Sequence, residues 1–464
     1  MHRWLAACAL LAACSDSPDD YYLLGVVPNP APDRTDWFGS TLVAVGDNVV
    51  VGSTFDDGDG LVDTGYAELR DGRTGALIRV LDDVPPMTNR KLGTIVQPIG
   101  ARFLVASSTT RPVLYESSTG EVVRQLDQIS GLDYYVSVQA KGPEFLISGA
   151  STASGIVAIF EANGHLGTTL LSPQADDHFG QSFAVMPTRI AVGAPTSSVA
   201  GLANVGSVHL YDGNGAFLKR IDPPVPREKQ AFGEYVYAIG DHFVIEEYGL
   251  PGATYLYDAD GTLVSRADFV GEVVQVGDNY VVSNVLEGPG TFALFDGTTG
   301  AEIARVSNPA DPRGELFGHA TPLANGNFVA TAPAANLDGV ADVGAAYIFD
   351  GATGAMIAEL VPPSRAETDN FGSSVVASDD RIFVSAPNAD VEGIADVGRV
   401  WVFSATTAER VSELVNPELD ANERFGNRSV VPLPHSIAVG VISDPVDGVE
   451  NAGSVYLFEA QRAQ

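Results

Sequence analysis

The sequence predicts an all-β protein made of one repeated unit of four short antiparallel strands, and three observations support this prediction. The dipeptide Phe-Gly recurs at positions 317, 371 and 425, which are 54 residues apart. Each recurrence is followed by short runs rich in β-branched residues, and Gly, Asp and Pro separate those runs. Four strands repeated at a nearly fixed period are typical of the blades of a β-propeller, so we predict that fold.

The opening dipeptide of each unit allows the blades to be counted. Counting the degenerate openings as well gives nine units. Because four of these openings are weak, a ring of seven or eight blades is also possible. We expect the Phe to fill the space between neighbouring blades and the Gly to let the inner strands approach closely. The openings are Phe38-Gly39, Leu92-Gly93, Tyr135-Val136, Phe179-Gly180, Phe232-Gly233, Val270-Gly271, Phe317-Gly318, Phe371-Gly372 and Phe425-Gly426.

The two ends of the chain each contain part of a unit. The ninth unit stops after its third strand, at about Phe458, whereas residues 21–27 have the composition of a fourth strand and precede the first Phe-Gly. We therefore expect the N-terminal strand to complete the last blade and close the ring, so that residues 21–464 form a single propeller.

Composition restricts the partners. The chain has 464 residues, of which 45% are hydrophobic, and its 26 basic and 59 acidic residues give a net charge of −33. That charge argues against binding nucleic acid or an anionic bilayer and favours cations or basic partners. The alternative is that the charge serves solubility alone. Cys8 and Cys14 are the two cysteines, so we expect no disulfide in the folded part.

The N-terminus has the pattern of an export signal. Basic residues precede a short apolar run that ends in Leu11-Ala12-Ala13-Cys14. This ending resembles the bacterial lipobox, which implies that residues 1–13 are a lipoprotein signal peptide. Cys14 would then carry the lipid and residues 14–20 would form a short tether. We expect an envelope location, in the outer membrane, with membrane contact only through the lipid. Ordinary secretion is the alternative.

The repeat resembles a known family. The Phe-Gly opening, the Gly193-Ala194-Pro195 and Ser385-Ala386-Pro387 endings and the aromatic end of the third strand are together similar to the FG-GAP repeats of integrin α-subunit propellers. The resemblance implies a propeller that binds a protein or glycan. The turns containing Thr-Gly also resemble those of quinone-dependent propellers and of envelope-assembly scaffolds, although the tryptophan that normally follows is missing here.

Long loops between the second and third strands carry candidate metal ligands. Oxygen-bearing side chains at alternate positions, then Gly, then an acid, suit calcium, which takes six to eight oxygen ligands. The alternative is a solvated Asx/Gly loop without metal. No cofactor other than calcium is suggested. The candidate ligands are Asp57, Asp59 and Asp63, then Asn336, Asp338 and Asp342, then Asp390 and Asp396.

The order of strands in a blade predicts where these loops lie. In a four-stranded antiparallel blade, the loops after the second and fourth strands emerge on one face, and the N-terminal strand enters from the other. Units 7, 8, 9 and 1 are consecutive in a closed ring, so their acidic loops form one sector. We expect this face to bind a protein or glycan.

Catalytic motifs are absent from the sequence. The histidines beyond residue 20 lie in different units without metal-like pairing, and no nucleophile elbow, P-loop or zincin motif occurs. We therefore expect a monomeric binding protein rather than an enzyme. A non-enzymatic scaffold for envelope assembly is the first alternative. A hydrolase with its site at the mouth of the central channel is the second.

Overall fold

The computed structural model describes residues 21–57, 60–82, 87–107, 111–129, 134–150, 155–172, 177–284, 290–309, 316–427 and 429–460. Within these residues the chain forms nine four-stranded antiparallel sheets and no helix, and hence no helix that could cross a membrane. The prediction of a nine-bladed, all-β propeller is confirmed.

The strands follow in chain order. The first, β1 (Tyr21–Pro28), belongs to the ninth blade. Blades 1 to 4 are β2–β5 (Thr41–Val45, Asn48–Ser53, Tyr66–Asp71, Leu77–Val80), β6–β9 (Ile95–Ile99, Arg102–Ala106, Val113–Glu116, Val122–Gln125), β10–β13 (Tyr134–Lys141, Glu144–Ala150, Gly155–Phe160, Leu166–Leu171) and β14–β17 (Phe183–Met186, Arg189–Ala194, Ser207–Asp212, Phe217–Ile221).

The remaining blades continue the pattern. They are β18–β21 (Phe232–Ile239, His242–Glu247, Ala253–Asp258, Leu263–Ala267), β22–β25 (Glu272–Val276, Asn279–Asn284, Thr291–Phe295, Glu302–Ser307), β26–β29 (His319–Pro322, Phe328–Ala332, Ala345–Phe349, Met356–Leu360), β30–β33 (Val375–Ser378, Arg381–Ala386, Arg399–Ser404, Arg410–Val415) and β34–β36 (Ser429–Pro432, Ile437–Val441, Ser454–Ala460).

The ring is closed by the N-terminal strand, as predicted. β1 pairs antiparallel with β36, from Tyr21 opposite Ala460 to Pro28 opposite Ser454, and the ninth sheet has the order β1-β36-β35-β34. Val27 in β1 is buried in the apolar cluster that joins blade 9 to blade 1. The first strands of neighbouring blades pack together around the centre, including β34 against β2.

The core is divided among the junctions between blades. Nine apolar clusters occur within the described residues, and each joins two neighbouring blades. The second and third strands supply most of their side chains; all six residues of β3 are buried, for example. Because each blade is packed on both faces, the residues of these strands are buried almost without alternation, and most of them are apolar.

The two faces of the disc differ in their connections. We call the face with the loops after the second strands and the linkers between blades the loop face, and the opposite one the turn face. On the turn face, Asp71 Oδ1 accepts hydrogen bonds from the backbone N–H and the hydroxyl of Thr74, both at 2.8 Å. These bonds lower the pKa of Asp71, and Gly75 ends the turn at φ 70°. Tyr21 begins β1 on this face.

Candidate functional site

The long loops of the loop face are fixed to the linkers by backbone hydrogen bonds. In blade 7 the N–H groups of Asn370 and Phe371 donate to the carbonyl oxygens of Asp342 and Val343, at 3.1 and 2.9 Å. Blade 8 repeats the arrangement, with Phe425 N donating to Val397 O at 2.8 Å. Bonds of this type also occur in blades 1, 4 and 9. The loop face is therefore a preorganised surface rather than a set of independent loops.

The long loops of blades 4, 7, 8 and 9 each contain a small hairpin. Leu337 and Val340 exchange two backbone hydrogen bonds, of 3.0 and 2.9 Å, around Asp338 and Gly339. Both turn residues have positive φ, 53° and 84°, as a type I′ turn requires. The same bridge joins Val391 to Ile394. The glycine in the predicted calcium pattern thus has a structural role, because it supplies the second position of this turn.

The predicted metal ligands occupy different positions in their loops. Three first-position oxygens, Oδ1 of Asp57, Asn336 and Asp390, accept the backbone N–H six residues later, from Asp63, Asp342 and Asp396, at 2.8, 3.0 and 3.1 Å. Asp338 instead points outward, with its side chain 90% exposed and 3.7 Å from Arg365. Asp59 lies outside the described residues.

No group of three or more His, Cys, Asp and Glu side chains placed to hold a metal ion is found in the described ranges. Calcium binding at these loops stays a prediction, and the hydrogen bond across each loop provides a way to test it.

We expect Asp390→Ala to lower the free energy of unfolding by about 1 kcal/mol, because the N–H of Asp396 loses its acceptor. Asp390→Asn should be nearly neutral, since the amide oxygen of Asn336 accepts the equivalent hydrogen bond in blade 7. Urea denaturation of both variants in EGTA measures the difference. With added calcium, an equal stabilisation of wild type and Asp390→Asn would count against Asp390 as a ligand.

Exposed carboxylates gather in one sector of the loop face. We define the acidic sector as the long loops of blades 7, 8, 9 and 1 and the linkers that enter blades 8, 9 and 1. Its basic residues are Arg34, Arg365 and Arg424, and Arg34 pairs with Glu450 at 3.0 Å. The exposed acidic residues of the sector are Asp33, Asp57, Asp338, Glu367, Asp390, Glu392, Glu418, Asp420, Asp447 and Glu450.

The Phe-Gly positions lie under this face. Their phenylalanines are buried in the clusters between blades, and their glycines all have positive φ. A Cβ on Gly426 would lie 2.5 Å from Val400 Cγ2, so the close approach requires glycine there. The residues are Phe38, Gly39, Phe179, Gly180, Phe232, Gly233, Phe317, Gly318, Phe371, Gly372, Phe425 and Gly426.

Two further recurring positions were missed from sequence. The first is the glycine before the third strand: Gly344 has φ 84°, and a Cβ there would lie 2.1 Å from Phe371 O. The second is a buried acid or amide two residues before the Phe. Asp369 Oδ2 accepts the N–H of Ala366 at 2.9 Å, and Gln230 Oε1 accepts that of Arg227 at 2.9 Å. Alignment of the units on Phe-Gly would have revealed both.

Blade 5 presents an exposed aromatic patch near the loop face. Tyr235 and Tyr248 are 43% and 53% exposed, with ring centroids 6.1 Å apart, and Tyr235 also stacks on Tyr237 at 6.4 Å. This patch was not predicted from the sequence, because Tyr248 approaches Tyr235 only when β18 pairs with β19.

An acid–base pair lies at the start of two neighbouring inner strands. His319 Nδ1 is 2.9 Å from Glu272 Oε2. Their hydrogen bond raises the pKa of His319 and lowers that of Glu272, as expected for an ion pair. Both residues are exposed. This pair was not predicted from the sequence.

Comparison with known proteins gives a fold but no family. No known family matches the chain, and no curated protein sequence does. A solved structure described as the eukaryotic initiation factor is similar at 12% identity and a TM-score of 0.53, over 87% of this chain and 97% of that one. At that identity the likeness supports the propeller fold alone.

Two other solved structures are more distant. BamB from Moraxella catarrhalis has 8% identity and a TM-score of 0.45, over 94% of this chain and 100% of that one. A quinohemoprotein alcohol dehydrogenase from Comamonas testosteroni has 12% identity and a TM-score of 0.49, over 97% and 78%. We attach no weight to these two likenesses, because both TM-scores are below 0.5.

Proposed function

We propose that this protein is a binding module that engages a partner protein with a basic surface through the acidic sector. One observation carries the proposal: the exposed carboxylates stand on loops that backbone hydrogen bonds fix to the linkers. A preorganised surface loses little conformational entropy on binding. Its excess of negative charge attracts a basic partner at long range and disfavours acidic ones.

The proposed location follows from the proposed anchor. With a lipid on Cys14, which lies outside the described residues, the segment from Ser15 to Asp20 would reach roughly 20 Å when fully extended. β1 begins on the turn face, so the loop face of an anchored, FG-GAP-like propeller would be directed away from the membrane. This orientation leaves the acidic sector accessible to a partner.

The role we propose is non-catalytic, with alternatives that depend on other features. Binding a glycan is favoured by the exposed rings of Tyr235 and Tyr248, since aromatic faces pack against the C–H faces of sugars. A hydrolase would use the pair of Glu272 and His319. A scaffold for envelope assembly would use the same acidic sector, but with a permanent partner.

We expect a protein captured from an envelope extract by residues 21–464 to be lost when Asp338, Asp390, Glu392 and Asp447 are changed to Asn or Gln. The reason is that four exposed charges of the acidic sector are then removed. Quantitative mass spectrometry of the captured proteins at 50 and 300 mM salt measures the effect. Capture through these charges should weaken at the higher salt.

The matched control removes four carboxylates from the turn face, at Asp47, Asp241, Asp278 and Asp379. This variant has the same net charge and should retain the captured protein. Equal loss with both variants would indicate non-specific charge attraction and would contradict the proposal. A captured protein unaffected by either variant would also contradict it.

A further inference from the structure

We propose that Glu423 and Asp444, at the junction between the linker and the long loop of blade 9, form a binding site for a divalent cation of the calcium type. This inference is independent of the proposed partner binding. It also concerns residues other than the loop positions whose spacing predicted calcium.

The two carboxyl groups meet in the interior of the junction. Glu423 precedes Phe425 in the linker, Asp444 follows β35, and each residue is only 3% exposed. The two groups lie within hydrogen-bonding reach of each other. One oxygen of each is satisfied: Asn416 Nδ2 donates to Glu423 Oε2, and the Tyr456 hydroxyl donates to Asp444 Oδ2 at 3.1 Å.

The other two oxygens accept no well-aligned hydrogen bond. Within the described residues, Glu423 Oε1 and Asp444 Oδ1 are buried without such a bond, and the further side-chain donor that interacts with the Asp444 carboxyl is the Ser454 hydroxyl. The other charged groups near the pair are Glu418 and Asp420, which add negative potential. Two buried carboxylates in contact need either a shared proton or a cation, because their repulsion and desolvation otherwise oppose folding.

Comparison of the blades indicates that the fold does not need the second carboxylate. The residue at the position of Asp444 makes the same backbone turn in blades 8 and 4, where it is Ala389 or Ser197. In blade 8 the acid of the linker, Asp369, is satisfied by the N–H of Ala366. A single acid is therefore sufficient to build the junction, and the added carboxylate of blade 9 requires another explanation.

Blade 1 repeats the added carboxylate. There Asp36 and Asp56 occupy the two positions, and Asp36 Oδ1, also buried, has no donor among the described residues. The doubled acids thus occur in blade 9, which contains the ring closure, and in blade 1, which follows it. A ligand that bridges linker and loop there would stabilise the closed ring.

The chemistry of the site selects the cation. The two carboxylates and the phenol of Tyr456 provide hard oxygen donors, and no Cys or His is among the described residues that interact with the pair. Calcium prefers such donors and tolerates irregular geometry, whereas magnesium demands a near-octahedral set and keeps several waters. We therefore expect calcium to bind in preference to magnesium.

Calorimetric titration of residues 21–464 with calcium chloride at pH 7.5 tests the proposal. Glu423→Gln and Asp444→Ala should each remove one bound calcium per chain and the rise in Tm that goes with it, about 3 °C or more. Asp444→Ala leaves one acid opposite an alanine, as Asp369 and Ala389 are in blade 8, so the junction should still fold. Asp390→Asn, in a predicted loop site, serves as the control and should bind as wild type does.

The remaining outcomes each contradict the proposal. If wild type binds no calcium, the pair is neutralised by a shared proton instead. If Asp390→Asn loses a calcium ion and Glu423→Gln does not, the cation binds at the loops. Equal binding of calcium and magnesium would refute the preference for calcium.

Discussion

The free energy of unfolding of a protein that starts at Asn29 is expected to be about 5 kcal/mol lower than that of one that starts at Tyr21. The difference is β1, whose Val27 is buried between blades 9 and 1 and whose Tyr21, Leu23 and Val26 pack on the cluster between blades 8 and 9. Burial of one full aliphatic side chain and several partial ones accounts for this magnitude. Urea denaturation of the two truncated forms, followed by tyrosine fluorescence, measures it.

The form that starts at Tyr21 is the matched control, because it lacks residues 1–20 but keeps β1. A peptide of residues 21–28, added in excess to the shorter form, should recover part of the lost stability, since it can pair with the exposed edge of β36. Identical unfolding of the two forms would mean that β1 does not hold the ring closed.

Glu246→Gln is expected to stabilise the protein by about 3 kcal/mol at pH 8 and to have little effect at pH 4. Glu246 is 2% exposed at the end of β19, and burial raises its pKa to about 7. Its Oε1 accepts hydrogen bonds from Gly271 N at 3.0 Å and from the Thr254 hydroxyl at 3.4 Å. Glutamine keeps an acceptor there without the charge.

The sign follows from linkage. The folded pKa lies above the unfolded value, so the stability from this group is fully present below about pH 4.5 and is lost as the pH rises through about 7. Thermal unfolding between pH 4 and pH 8.5 should show a flatter profile for Glu246→Gln than for wild type. Glu272→Gln is the control. Its carboxyl has a lowered pKa, so this change should give no gain at high pH.

Repetition made the architecture predictable from sequence. The openings at Phe317, Phe371 and Phe425 set the period, and the fourth-strand character of residues 21–27 supplied the closure of the ring. Both signals are local, because they depend on the composition of single strands. For this reason the count of nine blades and the pairing of β1 with β36 could be stated before the structure.

The details of the loop face depend on contacts between segments and were not predictable in the same way. Asp338 and Gly339 fit a calcium pattern and a type I′ turn equally well in the sequence, and only the bridge between Leu337 and Val340 shows that they form the turn. The requirement for glycine at Gly344 arises from Phe371, in the next linker. The pairing of Glu423 with Asp444 joins residues that no spacing rule connects.

Pairing of the two ends also has a consequence for biogenesis. Tyr22 donates a hydrogen bond to Glu459 Oε2 at 2.7 Å, across 437 positions of the chain. During vectorial synthesis the amino-terminal strand must wait until its carboxyl-terminal neighbour has left the ribosome. Such distant contacts slow folding because the entropic cost of closing the chain comes before they form. The toroid therefore closes only after β36 has been synthesised, and a nascent chain that stalls before this strand would leave the ring open.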